Sequence, residues 1–165
     1  MTDDESIHLL NQAVADELQA AHQYMYFHLH LAGERFTPLS TFFKQMAVQE
    51  MGHVELLAQR ILSLKGDVEM VPAGPVEKIV EPEAMLVKAM AMEEERARFY
   101  NQAATECRAR TDSESRKVLE RILGDEKGHF DELEKQCEKI ERFGVSCLVT
   151  DFGTDNLGEM VDMHL

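Results

Sequence analysis

The chain has 165 residues, 44% hydrophobic and 29% charged, a balance typical of a folded globular protein. A net charge of −14 disfavours binding to nucleic acid and favours attraction of cations. No apolar run approaches the roughly 18 residues of a membrane helix, and the acidic first residues do not resemble a signal peptide. The three cysteines form no CxxC pair, so we expect a cytoplasmic protein without disulfides or a cysteine zinc site.

Four long segments carry apolar residues at steps of three and four, which is the period of an amphipathic α-helix. The first helix is predicted over residues 3–32 and ends before Gly33. The second is predicted to begin at Pro38, with Thr37 as its N-cap, and to stop at Gly66.

The third and fourth helices have similar boundary signals. The third is predicted to start at Pro82 and to run to about residue 110. The fourth is predicted to start at a cap on Asp112 or Ser113 and to end at Gly144. No segment alternates at period two for long enough to indicate a sheet.

The connections predict an all-α four-helix bundle with a long crossover between helices two and three. The first and third loops are short, so each joins antiparallel neighbours. The 16-residue connection 66–81 can extend to about 53 Å, more than the length of a 28-residue helix, about 42 Å. It can therefore leave helices two and three parallel. We expect a bundle domain over residues 1–144 and a tail or short fifth helix over 145–165.

Six ionisable residues interrupt the apolar stripes near the middle of the helices. Burying four carboxylates without compensation would be strongly destabilising, because each charge loses its water and like charges share the site. The six residues form three pairs, and the number of residues between the two members is the same in every pair. The pairs are Glu17 with Glu93, Glu50 with Glu126, and His53 with His129.

This repeat predicts a two-metal centre. Tyr24 and Tyr100 follow the same spacing, so one helix pair looks like a copy of the other. Each pair supplies one Glu and one Glu-x-x-His, whose two side chains share a helix face and can hold one ion. A single Glu-x-x-His is usually surface charge, but two copies with matching upstream Glu residues favour a di-iron or di-manganese carboxylate centre, with zinc an alternative.

Several motifs make the chain similar to the bacterioferritins over residues 5–144. They are Glu-Leu at 17–18, Glu-Met-Gly-His at 50–53, Gln-Arg-Ile-Leu at 59–62, Glu93, and Asp-Glu-Lys-Gly-His at 125–129. The resemblance implies that the bundle is a ferritin-like four-helix bundle and that it forms a homo-oligomeric shell of 24 subunits that stores iron. It further implies ferroxidase oxidation of Fe(II) with O₂ or H₂O₂, a mineral in the shell cavity, and a ferredoxin-type reductant for iron release.

The resemblance also implies residue roles. The six paired residues would be catalytic iron ligands, and Tyr24 would lie beside the two iron ions. Met51, directly after the first Glu of the Glu-Met-Gly-His motif, would be the axial ligand of a b-type haem between two subunits. The best-known members have an inner-surface iron site where this chain has Gln45 and Gln49, so that site is not predicted here.

Other functions remain open at this stage. A rubrerythrin-like di-iron peroxidase usually adds a rubredoxin-like domain with paired CxxC motifs, which the sequence lacks. A Dps-like shell of twelve subunits usually has its metal sites between subunits. A purely structural bundle would leave the six core residues unexplained.

A few further residues have weaker signals. Glu94 competes with Glu93 for the metal-binding role, although Glu93 fits both the stripe and the repeat. Three histidines on helix one are expected to be surface or interface side chains: His22, His28 and His30. Cys107 and Cys137 lie on apolar stripes and are expected to be small core residues.

Overall fold

The computed structural model describes residues 3–33 and 36–150. It confirms the predicted all-α architecture, with four long helices and one short one. They are α1 (Asp3–Leu31), α2 (Thr37–Ser63), α3 (Pro82–Ala109), α4 (Ser113–Phe143) and α5 (Cys147–Thr150). Within this described part of the chain, no helix combines the length and apolar character needed to span a bilayer.

Most of the predicted helix boundaries agree with the structure. Pro38 lies in the first turn of α2, where its missing N–H costs nothing. The Asp112 carboxylate accepts a hydrogen bond of 3.1 Å from the Ser115 N–H and caps α4. Gly144 follows the last residue of α4 with a φ of 74°, a conformation that glycine adopts without strain.

Two predictions at the ends of α2 are wrong. Thr37 is the first helical residue, and Phe36 precedes it as the N-cap without a side-chain hydrogen bond. The helix ends at Ser63, and Lys65 adopts the positive φ of 63°. The Gly66 N–H donates to the Ile61 carbonyl at 3.0 Å just beyond the end of the helix. A Cβ at this position would also lie 2.8 Å from the Ile7 side chain on α1.

The crossover runs beside α1, a path that the sequence analysis did not specify. Its backbone is held by two amide side chains of α1. Asn11 Nδ2 donates to the Asp67 carbonyl at 2.9 Å, and Gln23 Nε2 donates to the Glu77 carbonyl at 2.9 Å. The crossover therefore follows α1 from its N-terminal part toward its C-terminal part, and it brings α3 into the bundle parallel to α2.

Two apolar clusters fill the bundle on either side of its middle. One contains Leu10, Leu57 and Leu119, and the other contains Phe27 and Phe43. The six ionisable residues of the repeat lie between the two clusters, so the fold places them in the interior of the bundle.

Part of the predicted C-terminal tail can be described. Leu148 of α5 is buried against the second apolar cluster, which accounts for the short helix there. Residues 151–165 lie outside the described part of the chain. The domain boundary at residue 144 stays a prediction.

Candidate metal centre

The fold brings the six paired residues together at the middle of the bundle. The four carboxylate residues are fully buried, and His53 is 5% exposed. His129 is the most accessible member, with a side chain that is 12% exposed. Their atoms form two groups that could each hold an ion, with ligand atoms within 4.8 Å of one another. The first set is Glu17, Glu50, His53 and Glu126, and the second set is Glu50, Glu93, Glu126 and His129.

The Nδ1 atom of His53 is at the centre of the first set. It lies 3.2 Å from Glu17 Oε2, 3.0 Å from Glu50 Oε2 and 3.1 Å from Glu126 Oε1. Burial alone would lower the pKa of His53, but these carboxylates outweigh it and raise the pKa to about 12. Three carboxylate oxygens converging on one ring nitrogen make a cage of mixed nitrogen and oxygen ligands.

The second set is arranged more loosely around His129. Its Nδ1 lies 3.4 Å from Glu50 Oε1 and 3.5 Å from Glu93 Oε2. Burial opposes protonation here too, yet the two carboxylates raise the pKa of His129 to about 10. Both imidazoles are therefore protonated at neutral pH when no metal is bound, and a metal ion would replace the protons at their Nδ1 atoms.

The outer nitrogen of each histidine has a partner that fixes the ring. His53 Nε2 lies 3.3 Å from Asp125 Oδ2, and His129 Nε2 donates to Gln49 Oε1 at 2.9 Å. With Nε2 engaged in this way, Nδ1 is the atom turned toward the carboxylates, the usual arrangement of metal-binding histidines. Sequence reasoning identified neither partner, although Gln49 and Asp125 are themselves separated by the spacing of the repeat.

Two buried tyrosines hold the outer carboxylates across the bundle. Tyr24 on α1 donates to Glu93 Oε1 on α3, and Tyr100 on α3 donates to Glu17 Oε1 on α1. Burial, reinforced by these carboxylates, keeps the pKa of both phenols well above its ordinary value, so both remain donors at neutral pH. The position of Tyr24 agrees with its predicted place beside the centre, and Tyr100 is an equivalent second tyrosine that the sequence analysis used only as evidence of the repeat.

We expect Tyr100→Phe to lower the free energy of unfolding by about 1–3 kcal/mol, because it leaves the buried Glu17 Oε1 without a hydrogen-bond donor. Tyr24→Phe should cost less, about 0.5–1.5 kcal/mol, because Arg96 Nη2 still donates to Glu93 Oε1. Urea unfolding measures the change. Tyr26→Phe is the control, since Tyr26 is half-buried against His30 and away from the carboxylates. A variant of Tyr24 or Tyr100 as stable as the Tyr26 variant would contradict the assignment.

Arg96 on α3 is the functional candidate that sequence reasoning missed. It is 4% exposed, and its Nη2 lies 2.9 Å from Glu50 Oε1, 2.6 Å from Glu93 Oε1 and 2.7 Å from Glu126 Oε2. The predicted stripe continued from Glu93 to Ala97, whereas the structure buries Arg96, one turn beyond Glu93. The repeat contains the missed signal: the counterpart of Arg96 in the first helix pair is the small residue Ala20.

The donor set fits divalent metal ions. Buried side-chain atoms without a hydrogen-bond partner cluster here: Glu50 Oε2, Glu93 Oε2, Glu126 Oε1 and His129 Nδ1. Burial would raise the pKa of Glu50 and Glu93, but Arg96 outweighs it and keeps both ionised. Burial raises the pKa of Glu126 despite the same arginine. Buried carboxylate oxygens and imidazole nitrogens without hydrogen-bond partners are suitable ligands for iron, manganese or zinc.

A cavity of about 640 Å³ between α2 and α4 reaches the two histidines. Gly52 and Gly128, which belong to the two Glu-x-Gly-His motifs, line it together with His53 and His129. Small residues beside each histidine therefore open a path by which an ion or a small oxidant can approach the carboxylates.

The remaining sequence candidates lie away from this cluster. Glu94 is exposed and pairs with Arg98 at 3.4 Å, so Glu93 is the buried member of the acidic run. Met51 is 43% exposed on the outside of α2. The three histidines of α1 are at or near the surface: His22, His28 and His30. Cys107 is buried as expected, and Cys137 is half-buried with its Sγ 3.2 Å from Met90 Sδ.

Comparison with known proteins agrees with this geometry. Residues 7–143 match the model of the ferritin-like domain. The chain is 31% identical to the bacterioferritin of Desulfovibrio desulfuricans over 90% of this chain and 83% of that protein. It is 30% identical to the bacterioferritin of Rhodobacter capsulatus, over 84% of this chain and 86% of that protein. The chain belongs to the bacterioferritin family.

The fold of a solved structure supports the same family assignment. The X-ray structure of the Desulfovibrio desulfuricans bacterioferritin, whose diiron site was studied in different catalytic states, superposes with a TM-score of 0.86. It is 28% identical in sequence, and the match covers 95% of both chains. Membership of the bacterioferritin family favours iron storage over the rubrerythrin-like and Dps-like alternatives.

Proposed function

We propose that this bacterioferritin-family chain is an iron-storage ferroxidase. It oxidises Fe(II) with O₂ or H₂O₂ at the buried carboxylate–histidine cluster, and the Fe(III) is stored as mineral inside a shell of 24 subunits. The observation that carries the proposal is the pair of overlapping ligand sets in the bundle interior, which share Glu50 and Glu126. The net charge of −14 favours the approach of Fe(II) to the protein.

Each residue of the centre has a definite task in this proposal. Glu17 and His53 are ligands on one side, Glu93 and His129 are ligands on the other, and Glu50 and Glu126 join the two sides. Iron bound there supplies the electrons that O₂ or H₂O₂ takes up. The chain holds the ligands in position: Tyr24 and Tyr100 fix the outer carboxylates, and hydrogen bonds at each outer ring nitrogen fix the imidazoles.

Aerobic addition of Fe(II) to the purified protein tests the function. Fe(III) absorbance should rise faster than in protein-free buffer, and size-exclusion chromatography followed by electron microscopy should show a hollow shell of 24 subunits containing the mineral. Slow oxidation at the buffer rate would contradict the ferroxidase, and a monomer or dimer after iron loading would contradict the shell. Release of the stored iron by a ferredoxin-type reductant is a further part of this proposal.

We also propose that Met51 binds a b-type haem at a subunit dimer interface. The side chain is exposed in the single chain and lies in the family motif at 50–53, as a shared axial ligand requires. Met51→Leu should remove the haem absorption band because leucine has no sulfur to bind the iron. Met70→Leu, at an exposed methionine of the crossover, is the matched control and should keep the band. A full band in the Met51 variant would contradict the assignment.

A further inference from the structure

Arg96 contacts the two halves of the centre unequally. Its Nη2 lies within 2.9 Å of all three carboxylates of the second set, Glu50, Glu93 and Glu126. Its Nε donates to Glu126 Oε2 at 2.9 Å and lies 3.9 Å from Glu17 Oε1, the carboxylate that belongs only to the first set. The guanidinium therefore contacts Glu50 and Glu126, which the two sets share. Of the two unshared carboxylates it contacts Glu93 of the second set closely and Glu17 of the first only at 3.9 Å.

The consequence for metal binding follows from the chemistry of the two central nitrogens. His53 Nδ1, in the middle of the first set, is itself a ligand once it loses its proton. Arg96 cannot lose its proton at any physiological pH and cannot be a ligand. Nη2 already lies 2.6–2.9 Å from one oxygen of each of the three carboxylates. A divalent ion about 2.0–2.2 Å from those same oxygens would compete with this fixed positive charge for the same space, so the side chain must leave before the ion takes them as ligands.

The structure offers the guanidinium a second place. A cleft of about 200 Å³ between α1 and α3 is lined by Asp16, Glu95 and Lys88 and also reaches Arg96. The Lys88 ammonium is paired with Glu77 at 2.6 Å, which leaves the two carboxylates to a second cation. The cleft opens on the face of the bundle away from the α2–α4 cavity, which is the ion's path to the histidines. The two carboxylates of the cleft can receive a guanidinium that swings out of the centre.

We propose that Arg96 is a specificity-determining residue of the centre, a displaceable counter-cation that makes the two metal sites unequal. The first set binds a divalent ion while Arg96 stays in place. The second set binds its ion only after Arg96 moves to the cleft of Asp16 and Glu95. The inference rests on the proposed di-metal function, because it assigns an order of loading to those same two ligand sets.

The repeat supports this assignment independently. Every other position of the centre has a like or similar counterpart at the spacing of the repeat, including both glutamate pairs, both histidines and both tyrosines. Arg96 corresponds to Ala20, which is fully buried and has no charge to place in the first set. The asymmetry between the halves therefore originates at one position of the sequence.

Anaerobic titration with Co²⁺, followed by calorimetry and by the visible absorption of bound Co²⁺, tests the order of loading without any turnover. We expect two steps in the parent protein, with the second about a hundredfold weaker, as a binding-competent state populated about 1% of the time would give. Arg96→Gln should bring the second affinity close to the first. Arg98→Gln, at an exposed arginine of the same helix, should leave both steps as in the parent.

Arg96→Lys is the second variant, because it keeps the charge while a compact ammonium cannot reproduce the fork of contacts. For this variant, the ratio of the two Co²⁺ affinities should lie between the ratio in the parent and the ratio in Arg96→Gln. If Arg96→Gln does not fold, the lysine variant alone tests the proposal. Two Co²⁺ binding steps of equal affinity in the parent, or a difference in affinity that neither variant reduces, would overturn the proposal. Co²⁺ binding that is absent, or unchanged by Glu50→Ala, would instead overturn the metal centre itself.

Discussion

Glu50→Ala should lower the rate of Fe(II) oxidation by at least about 100-fold, since even a residue that only supports a metal ligand typically accounts for 10–100-fold. Glu50 belongs to both ligand sets, so its removal strips one carboxylate from each site at once. It also removes one of the three carboxylates that hold Arg96. Rapid mixing of anaerobic protein and Fe(II) with oxygenated buffer, followed by Fe(III) absorbance, measures the rate.

Two further variants separate the loss of chemistry from a loss of folding. Glu50→Gln keeps the volume of the buried side chain and should lose most of the rate while remaining helical and assembled. Glu55→Ala changes an exposed glutamate of the same helix and should oxidise iron like the parent. A Glu50→Ala protein that oxidises iron at the parent rate would show that the chemistry occurs elsewhere.

The sequence predicted the fold and the six central residues for a physical reason. A helix that packs on one face repeats its buried positions every three or four residues, so polar residues on that stripe, such as Glu17 and Glu93, are visible as exceptions. The constant separation within the three pairs then identifies which exceptions belong together. The number of long helices and the positions of the two histidine motifs follow from these two periodicities, and the crossover follows from the length of the connection 66–81.

Arg96 was missed because periodicity alone does not decide between neighbouring stripe positions. Steps of three and of four from Glu93 both fall on the inner face, at Arg96 and Ala97, and the apolar choice is the ordinary one. The electrostatics decide otherwise, because three buried carboxylates stabilise a guanidinium that would be costly to bury alone. Only Glu93 is a local neighbour on the same helix; Glu50 and Glu126 come from two other helices, so most of the compensation is invisible in the local sequence.

The hydrogen-bond partner of His129 and the packing at the end of α2 were also beyond what sequence patterns could predict. Gln49 was interpreted only as a departure from the family pattern, whereas the structure uses it to orient His129. Gly66 was interpreted only as a helix stop, and the structure adds that its lack of a side chain leaves room for Ile7 from another helix. Both facts depend on contacts between distant segments, which the sequence does not display.

Removing metal should make the stability of the protein depend on pH. The pKa values of His53 and His129 are raised to about 12 and about 10 from an ordinary 6.5, so the folded state binds these protons more tightly than the unfolded state. That stabilisation is complete below about pH 6.5 and is lost as pH rises toward 10 and 12. The raised pKa values of Glu17 and Glu126 act in the same direction.

Zn²⁺, which does not change oxidation state, should offset the loss of stability at high pH, because it replaces the protons at the same nitrogens and oxygens. At a free concentration about 1,000 times its Kd, one bound ion adds about 4 kcal/mol and raises Tm by about 10 °C. We therefore expect the chelated protein to melt at lower temperature at pH 9 than at pH 6.5, and the Zn²⁺-induced rise in Tm to grow over the same interval.

Differential scanning calorimetry with chelator or with Zn²⁺ at several pH values measures both effects. Glu50→Gln should lose most of the Zn²⁺-induced rise in Tm, and Glu55→Gln should keep it, because only the first belongs to the ligand sets. The acids whose pKa is lowered, Glu50 and Glu93, contribute a stabilisation that is lost only at acid pH and leaves this interval unchanged. A chelated protein whose Tm is constant from pH 6.5 to 9, and which Zn²⁺ does not stabilise, would show that proton and metal do not compete for the buried cluster.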